Sequence, residues 1–101
     1  MTNAEGTGFD WDERNTDKNR NKHGVEAMEC EEIFFHQPRV VTSDTKHSQV
    51  EQRFHALGQT SKARLLLLVY TIRSQKIRVI SARDMSRKAR DIYESHHNAT
   101  T

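Results

Sequence analysis

From Arg64 to Ile72 the chain reads Arg-Leu-Leu-Leu-Leu-Val-Tyr-Thr-Ile, a nearly continuous apolar run bounded by turn residues. Thr60-Ser61-Lys62-Ala63 precedes it and Ser74-Gln75 follows it, the mark of a central strand covered on much of both faces. The run is far short of the roughly 20 residues that a bilayer helix needs. Lys76 to Ala82 forms the next strand, with Arg78 and Ile80 opposite Ile77 and Val79. Arg53 to Gly58 alternates in type before the central run, and Val40-Val41 marks a short strand after Pro38. Strands joined by such short turns make an antiparallel meander.

The flanks of this sheet read as helices. Phe9-Asp10-Trp11 alternates apolar and polar and suits a short strand. Asp12 then stands as an N-cap with Glu13 behind it, and Gly24 is a left-handed stop, so a helix is expected from Asp12 to His23. Its pattern is poor, because it is almost wholly polar and carries Asn15, Asn19 and Asn21, weak helix formers. Ala27, Cys30, Ile33 and Phe34 recur at helical spacing and predict a second helix from about Glu26 to Phe35, ended by Pro38. Ser86 caps a last helix whose stripe is Ala89, Ile92, Tyr93 and His96, with Arg87, Lys88, Arg90 and Asp91 on its other face. The order is a short strand, two helices, a run of strands and one helix: an α+β fold with helices on one face of an antiparallel sheet.

The 101 residues fit one domain, expected over residues 9–96, with a disordered lead-in over 1–8 and a frayed end over 97–101. No basic-then-apolar N-terminal segment suggests a signal peptide, and a cytoplasmic location is expected. A single cysteine, Cys30, excludes an internal disulfide framework and a multi-cysteine zinc site. The histidines are scattered, so neither a metal nor another cofactor is expected.

A formal net charge of +2 hides a polarity along the chain. Residues 1–50 carry 6 Lys+Arg against 10 Asp+Glu, and residues 51–101 carry 10 against 4. From Lys62 to Arg90 there are nine basic residues and one acid, Asp84. A polyanion is the natural partner of such a stretch, because neutralising phosphates releases counterions. If Arg64 and Arg78 project from neighbouring strands to the same face they stand close together, with Arg83 and Arg53 able to join them. Only Glu51, Asp84, Asp91 and Glu94 are near in sequence, too few to pair every guanidinium, so an anionic ligand is expected to relieve the repulsion.

RNA scission needs little more than this. Attack of a ribose 2′-hydroxyl on the adjacent phosphate passes through a dianionic, five-coordinate phosphorus that fixed guanidinium groups stabilise. A base and an acid add roughly a hundred- to ten-thousand-fold each. Lys22, His23, His47, Glu51, His55 and Tyr93 are chemically able to fill those roles, and the sequence does not rank them.

Several segments resemble the BrnT family of toxins. They begin with Phe9-Asp10-Trp11-Asp12 and Asn19-Arg20-Asn21-Lys22-His23-Gly24-Val25. His47-Ser48, Glu51-Gln52-Arg53-Phe54 and Ala56-Leu57-Gly58 follow. Arg64-Leu65-Leu66, Val69-Tyr70-Thr71, Ile77 to Arg83, Ser86-Arg87 and Tyr93-Glu94 complete the series. The resemblance implies a RelE-like fold and a ribonuclease toxin of a type II toxin–antitoxin module, arresting translation and neutralised by a BrnA-like DNA-binding antitoxin. That antitoxin would bring the toxin to operator DNA. The resemblance maps the family's basic sheet positions onto Arg64, Arg78 and Arg83, and adds Lys22, His23 and Tyr93 as catalytic candidates. Arg53, Arg87 and Lys88 complete the expected RNA-binding surface. The chain departs from the family pattern at Arg20-Asn21, where an apolar residue is usual, at Ala63, where glycine is usual, and at Ala89, where a capping-box glutamate is usual. Those departures predict looser packing of the first helix, a weaker last helix and a feebler toxin. The alternative is a non-catalytic nucleic-acid- or protein-binding module using the same basic face.

Overall fold

The computed structural model describes residues 8–35, 39–44 and 51–99. Most of the expected lead-in, Pro38 and His47 lie outside the described residues. The elements in order are α1 (Glu13–His23), α2 (Ala27–Phe35), β1 (Val40–Asp44), β2 (Arg53–Gln59), β3 (Leu65–Arg73), β4 (Lys76–Asp84) and α3 (Arg87–Ala99). The four strands form one sheet in the order β1-β2-β3-β4, every neighbour antiparallel. This is the α+β meander expected, with β1 as a full edge strand. The helices do not share one face as expected: α3 packs on the side opposite α1 and α2, because Tyr93 meets Leu57, Leu65 and Leu67 rather than the Cys30 and Ile33 core. The expected N-terminal strand is reduced to one parallel bridge, Phe9 to Ile77, where Ile77 N–H donates to Gly8 O and Asp10 N–H to Ile77 O, each at 2.8 Å.

One side of the sheet is packed by α1 and α2. Phe54 and Ala56 of β2, Leu66, Leu68 and Tyr70 of β3, and Ile77, Val79 and Ala82 of β4 form its core with Cys30 and Ile33 of α2. Gly58 is required there, because a Cβ would come within 2.6 Å of Ile33 Cγ2. Rings link the N-terminal segment to the sheet: Phe9 meets Phe34 at 5.6 Å, and Phe34 meets Tyr70 edge-on at 5.0 Å. Burial pushes the Cys30 thiol up to about 12, so it packs as an inert apolar group.

The polar α1 is explained by its position over the edge of β4. Asn15 and Asn19 are its buried residues. Asn15 Nδ2 donates to Val79 O at 3.2 Å, and Ala82 N–H donates to Asn19 Oδ1 at 3.1 Å. An unpaired strand edge is a liability, and here two amide side chains satisfy it. Asp12 closes the helix start in a capping box with Asn15, and Gly24 ends it at φ 65°. Arg20 and Asn21, the unusual pair, are exposed and leave this packing untouched.

A bulge decides the opposite side. On β4 the register with β3 runs Thr71–Arg78 and Tyr70–Val79, then shifts so that Val69 meets Ser81 and Leu67 meets Arg83. Ile80 is the extra residue. In a regular strand, residues 78 and 83 would face opposite ways. The bulge cancels the odd spacing, since Thr71 and Leu67 share a face of β3 and their partners therefore do too. α3 packs on one end of this second side through Tyr93, with Leu57, Met85, Leu65, Leu67 and Ala89. Ser86 Oγ accepts from Ala89 N–H at 3.1 Å, so the last helix keeps half of its capping box despite lacking the glutamate.

Candidate nucleic-acid interface

The expected arginine cluster divides between the two sides. Arg64 belongs to the side packed by α1 and α2. Its Nε donates to Asp84 Oδ1 at 2.8 Å and its Nη1 to both Glu29 carboxylate oxygens at 3.1 Å. The same guanidinium also donates to the carbonyls of Gly24 and His23 at the end of α1, at 3.0 and 3.4 Å. These partners push its pKa above the ordinary arginine value, and Arg64 in turn holds the Asp84 carboxyl below the usual carboxylate range. Arg64 is therefore a clamp between the α1–α2 turn, α2 and the end of β4. A same-face pair of Arg64 and Arg78, and guanidiniums lacking acids, were expected; the first is overturned, and so is the second for Arg64 and Arg78. Asp84 is one of the nearby acids, and the rest come from α2 (Glu29) and the segment before α1 (Asp10 and Asp12), remote in sequence and near in space.

Arg78 rises on the second side and reaches round the β4 edge. Its Nη2 donates to Asp12 Oδ2 at 2.9 Å, and its Nη1 lies 3.6 Å from Asp10 Oδ2. The Asp12 carboxyl is held below its usual value, chiefly by the Asn15 backbone N–H and then by Arg78. Arg73 closes on Glu51 through two hydrogen bonds of 3.0 and 3.1 Å, which lower the Glu51 carboxyl likewise. Arg14 and Lys18 of α1 join Arg53, Arg73 and Arg78 around a cleft of about 210 Å³. Arg14 and Lys18 stand one helical turn apart, a spacing that could have flagged them in the sequence.

A larger groove, about 480 Å³, runs between α3 and the sheet. Arg83, Lys88, Ser86 and His55 line it over an apolar floor that includes Leu57 and Leu67. Arg83 is exposed, and its side chain makes no hydrogen bond or ion pair among the described residues. His55 Nε2 lies 3.0 Å from Asp44 Oδ2.

The other candidates fall in different places. Lys22 is exposed and His23 half-buried at the end of α1, beside Arg64 and away from the groove. Tyr93 is 4% exposed within the small core under α3, and burial pushes its phenol up. Arg87 is exposed on the first turn of α3, next to Lys88. Among the described residues no three His, Cys, Asp or Glu side chains gather to hold a metal, and no helix is long and apolar enough to cross a membrane.

Comparison with curated proteins found no match. The family model of the ribonuclease toxin BrnT, of type II toxin–antitoxin systems, matches residues 11–89, from Trp11 before α1 to Ala89 in α3, and the chain belongs to that family.

Proposed function

We propose that this toxin is a metal-independent endoribonuclease that cuts RNA, arrests translation in the cytoplasm and is neutralised by a BrnA-like DNA-binding antitoxin. The observation that carries this reading is the bulge at Ile80, which brings Arg83 to the same side as Arg78 and Arg53. Arg83 lines the groove with no side-chain partner among the described residues, so it has charge to spare for the dianionic phosphorus, and Lys88 stands across the same groove. Arg53, with Arg14, Lys18 and Arg78, forms a cationic track for the flanking phosphates. Arg87 extends that track along α3. Arg64 fixes the end of α1 through the His23 and Gly24 carbonyls, Tyr93 fixes α3, and Lys22 stands exposed on the Arg64 side.

The family's description as ribonuclease toxins supports cleavage over attachment alone. The pairing of Arg64 with Glu29 and Asp84, and of Arg78 with Asp12, favours the second reading, a basic surface that binds without cutting. RNA integrity after induced expression separates them. Wild type should fragment cellular RNA and Arg83→Ala should leave it intact, while both keep the same melting temperature and antitoxin binding. Full-length RNA with wild type, and binding that falls with salt, would establish the second reading instead.

A further inference from the structure

We propose that His55, oriented by Asp44, is the general base of RNA cleavage, with the scissile phosphate seated in the groove under α3 against Arg83 and Lys88. This rests on the ribonuclease reading above. Three observations converge. First, β2 directs His55 to the second side of the sheet, since its register partners are Thr42 of β1 and Val69 of β3, and Val69 pairs in turn with Ser81. Second, among the described residues the imidazole is tethered at one nitrogen: Nε2 lies 3.0 Å from Asp44 Oδ2, and that carboxylate side chain is 9% exposed against 40% for His55. A carboxylate accepts, so in the neutral imidazole Nε2 carries the proton and Nδ1 keeps its lone pair for a substrate. Third, His55 shares its groove with Arg83 and Lys88, cations suited to the phosphate that the base must serve. Two strand spacings, about 10 Å, separate β2 from β4 across the sheet, room for a ribose and its phosphodiester between base and guanidinium.

The step closes without a co-reactant. Nδ1 of His55 takes the 2′-hydroxyl proton as the O2′–P bond forms. The P–O5′ bond breaks, its electron pair goes to O5′, and the imidazolium returns the proton to that oxygen. The products are a 2′,3′-cyclic phosphate and a 5′-hydroxyl, and the histidine is neutral again. Arg83 and Lys88 stabilise the charge on the non-bridging oxygens.

The charged groups around His55 are Asp44 from β1, Arg53 two residues back on β2, Arg83 from β4 and Lys88 from α3. β3 presents Leu65, Leu67, Val69, Thr71 and Arg73 to this side, and the charged one, Arg73, lies at the far end with Arg53 and Arg78, paired to Glu51. Asp44 lies diagonally across the β1–β2 ladder, so a purely structural cross-strand pair is the competing role, and the test must exclude it.

That test is the cleavage rate of a defined RNA oligonucleotide by the full chain as a function of pH, with the product ends identified. His55→Gln should lower the rate by about a hundred- to ten-thousand-fold and remove the limb on which activity rises with pH. Its affinity for the same oligonucleotide with a 2′-deoxy scissile nucleotide should stay within about twofold of wild type, because the guanidiniums that hold the phosphates remain. Asp44→Asn keeps the imidazole and should cost about 10- to 100-fold, the usual effect of losing an orienting partner. Wild-type rate and an unchanged profile in His55→Gln would overturn the role of His55 and leave the ribonuclease reading standing. Intact RNA with wild type at every pH would overturn both.

Discussion

Arg64 and Arg83 lie on opposite sides of one sheet and are used in opposite ways. Arg64 meets two carboxylates and two helix-end carbonyls, so its charge is consumed in joining α1, α2 and β4. The Arg83 side chain has no partner among the described residues and lines a groove with His55 and a second cation, Lys88. The difference teaches that the strength of a guanidinium's local field and its availability to a ligand run in opposite directions. A saturated cation stabilises the fold, and an unsaturated one can stabilise a developing charge.

The largest test of that contrast is kinetic. Arg83→Ala should reduce RNA cleavage by about a hundred- to a thousandfold, the usual effect of removing one fixed donor to a developing oxyanion. Its melting temperature should match wild type, since no described group loses a partner. A drop in thermal stability with little loss of cleavage would reverse the assignment of the two sides.

Arg64→Ala should show the mirror image. It strands Glu29 and Asp84 and frees the carbonyls that end α1. The site is only partly buried, so the expected cost is about 2 kcal/mol, less than for a fully buried pair. That should lower the melting temperature by roughly 8–16 °C in a domain of this size. Calorimetry on the two variants side by side reads the comparison directly.

The contrast also separates what the sequence made legible from what it did not. The boundaries of α1, α2 and β2 to β4 followed closely from Asp12, Gly24, the Leu65–Leu68 run and the Ser74-Gln75 turn, because caps, periodicity and turns are local signals. By contrast, β1 runs on to Asp44 through polar residues that read as a loop. The sides of the sheet did not follow. Arg78 and Arg83 are separated by an odd number of residues, and only the bulge at Ile80 aligns them. Asp84 was among the nearby carboxylates, but Glu29 and Asp12, which bind Arg64 and Arg78 from 35 and 66 residues away, were missed by that count. Asn15 and Asn19 were read as weak helix formers, yet their amides seal the β4 edge, a role that a propensity scale does not see.

Ala63, which leads into β3 beside Arg64, offers a smaller test in the stabilising direction. Its φ is 65°, in the left-handed region, where a Cβ costs about 1–2 kcal/mol. Ala63→Gly removes that strain but gives the unfolded chain more freedom, worth about 0.4–1 kcal/mol against the change. A net gain of roughly 0.5–1 kcal/mol is expected, seen as a rise of a few degrees in melting temperature. Cleavage should be unchanged, because the residue lies on the Arg64 side. A gain in cleavage without a gain in stability would tie that side to the chemistry after all.

The smallest expected effect is in the pH dependence of folding, and it distinguishes the two arginines once more. The Asp84 carboxyl is held low chiefly by its hydrogen bond from Arg64. A carboxylate whose value is depressed in the folded state binds its proton more readily when unfolded. Its contribution is therefore complete above the unfolded value, about 4, and is lost as pH falls through the lower folded value. Asp12 and Glu51, lowered by their own partners, contribute in the same direction. Denaturant titrations between about pH 2 and pH 6 should show wild-type stability falling toward acid. In Arg64→Ala the fall should be shallower, because Asp84 no longer differs between the two states by that hydrogen bond. In Arg83→Ala the slope should equal that of wild type, since no described carboxylate is held by Arg83. Equal flattening in both variants would mean that Arg83 has an acidic partner of its own and no charge to spare for RNA.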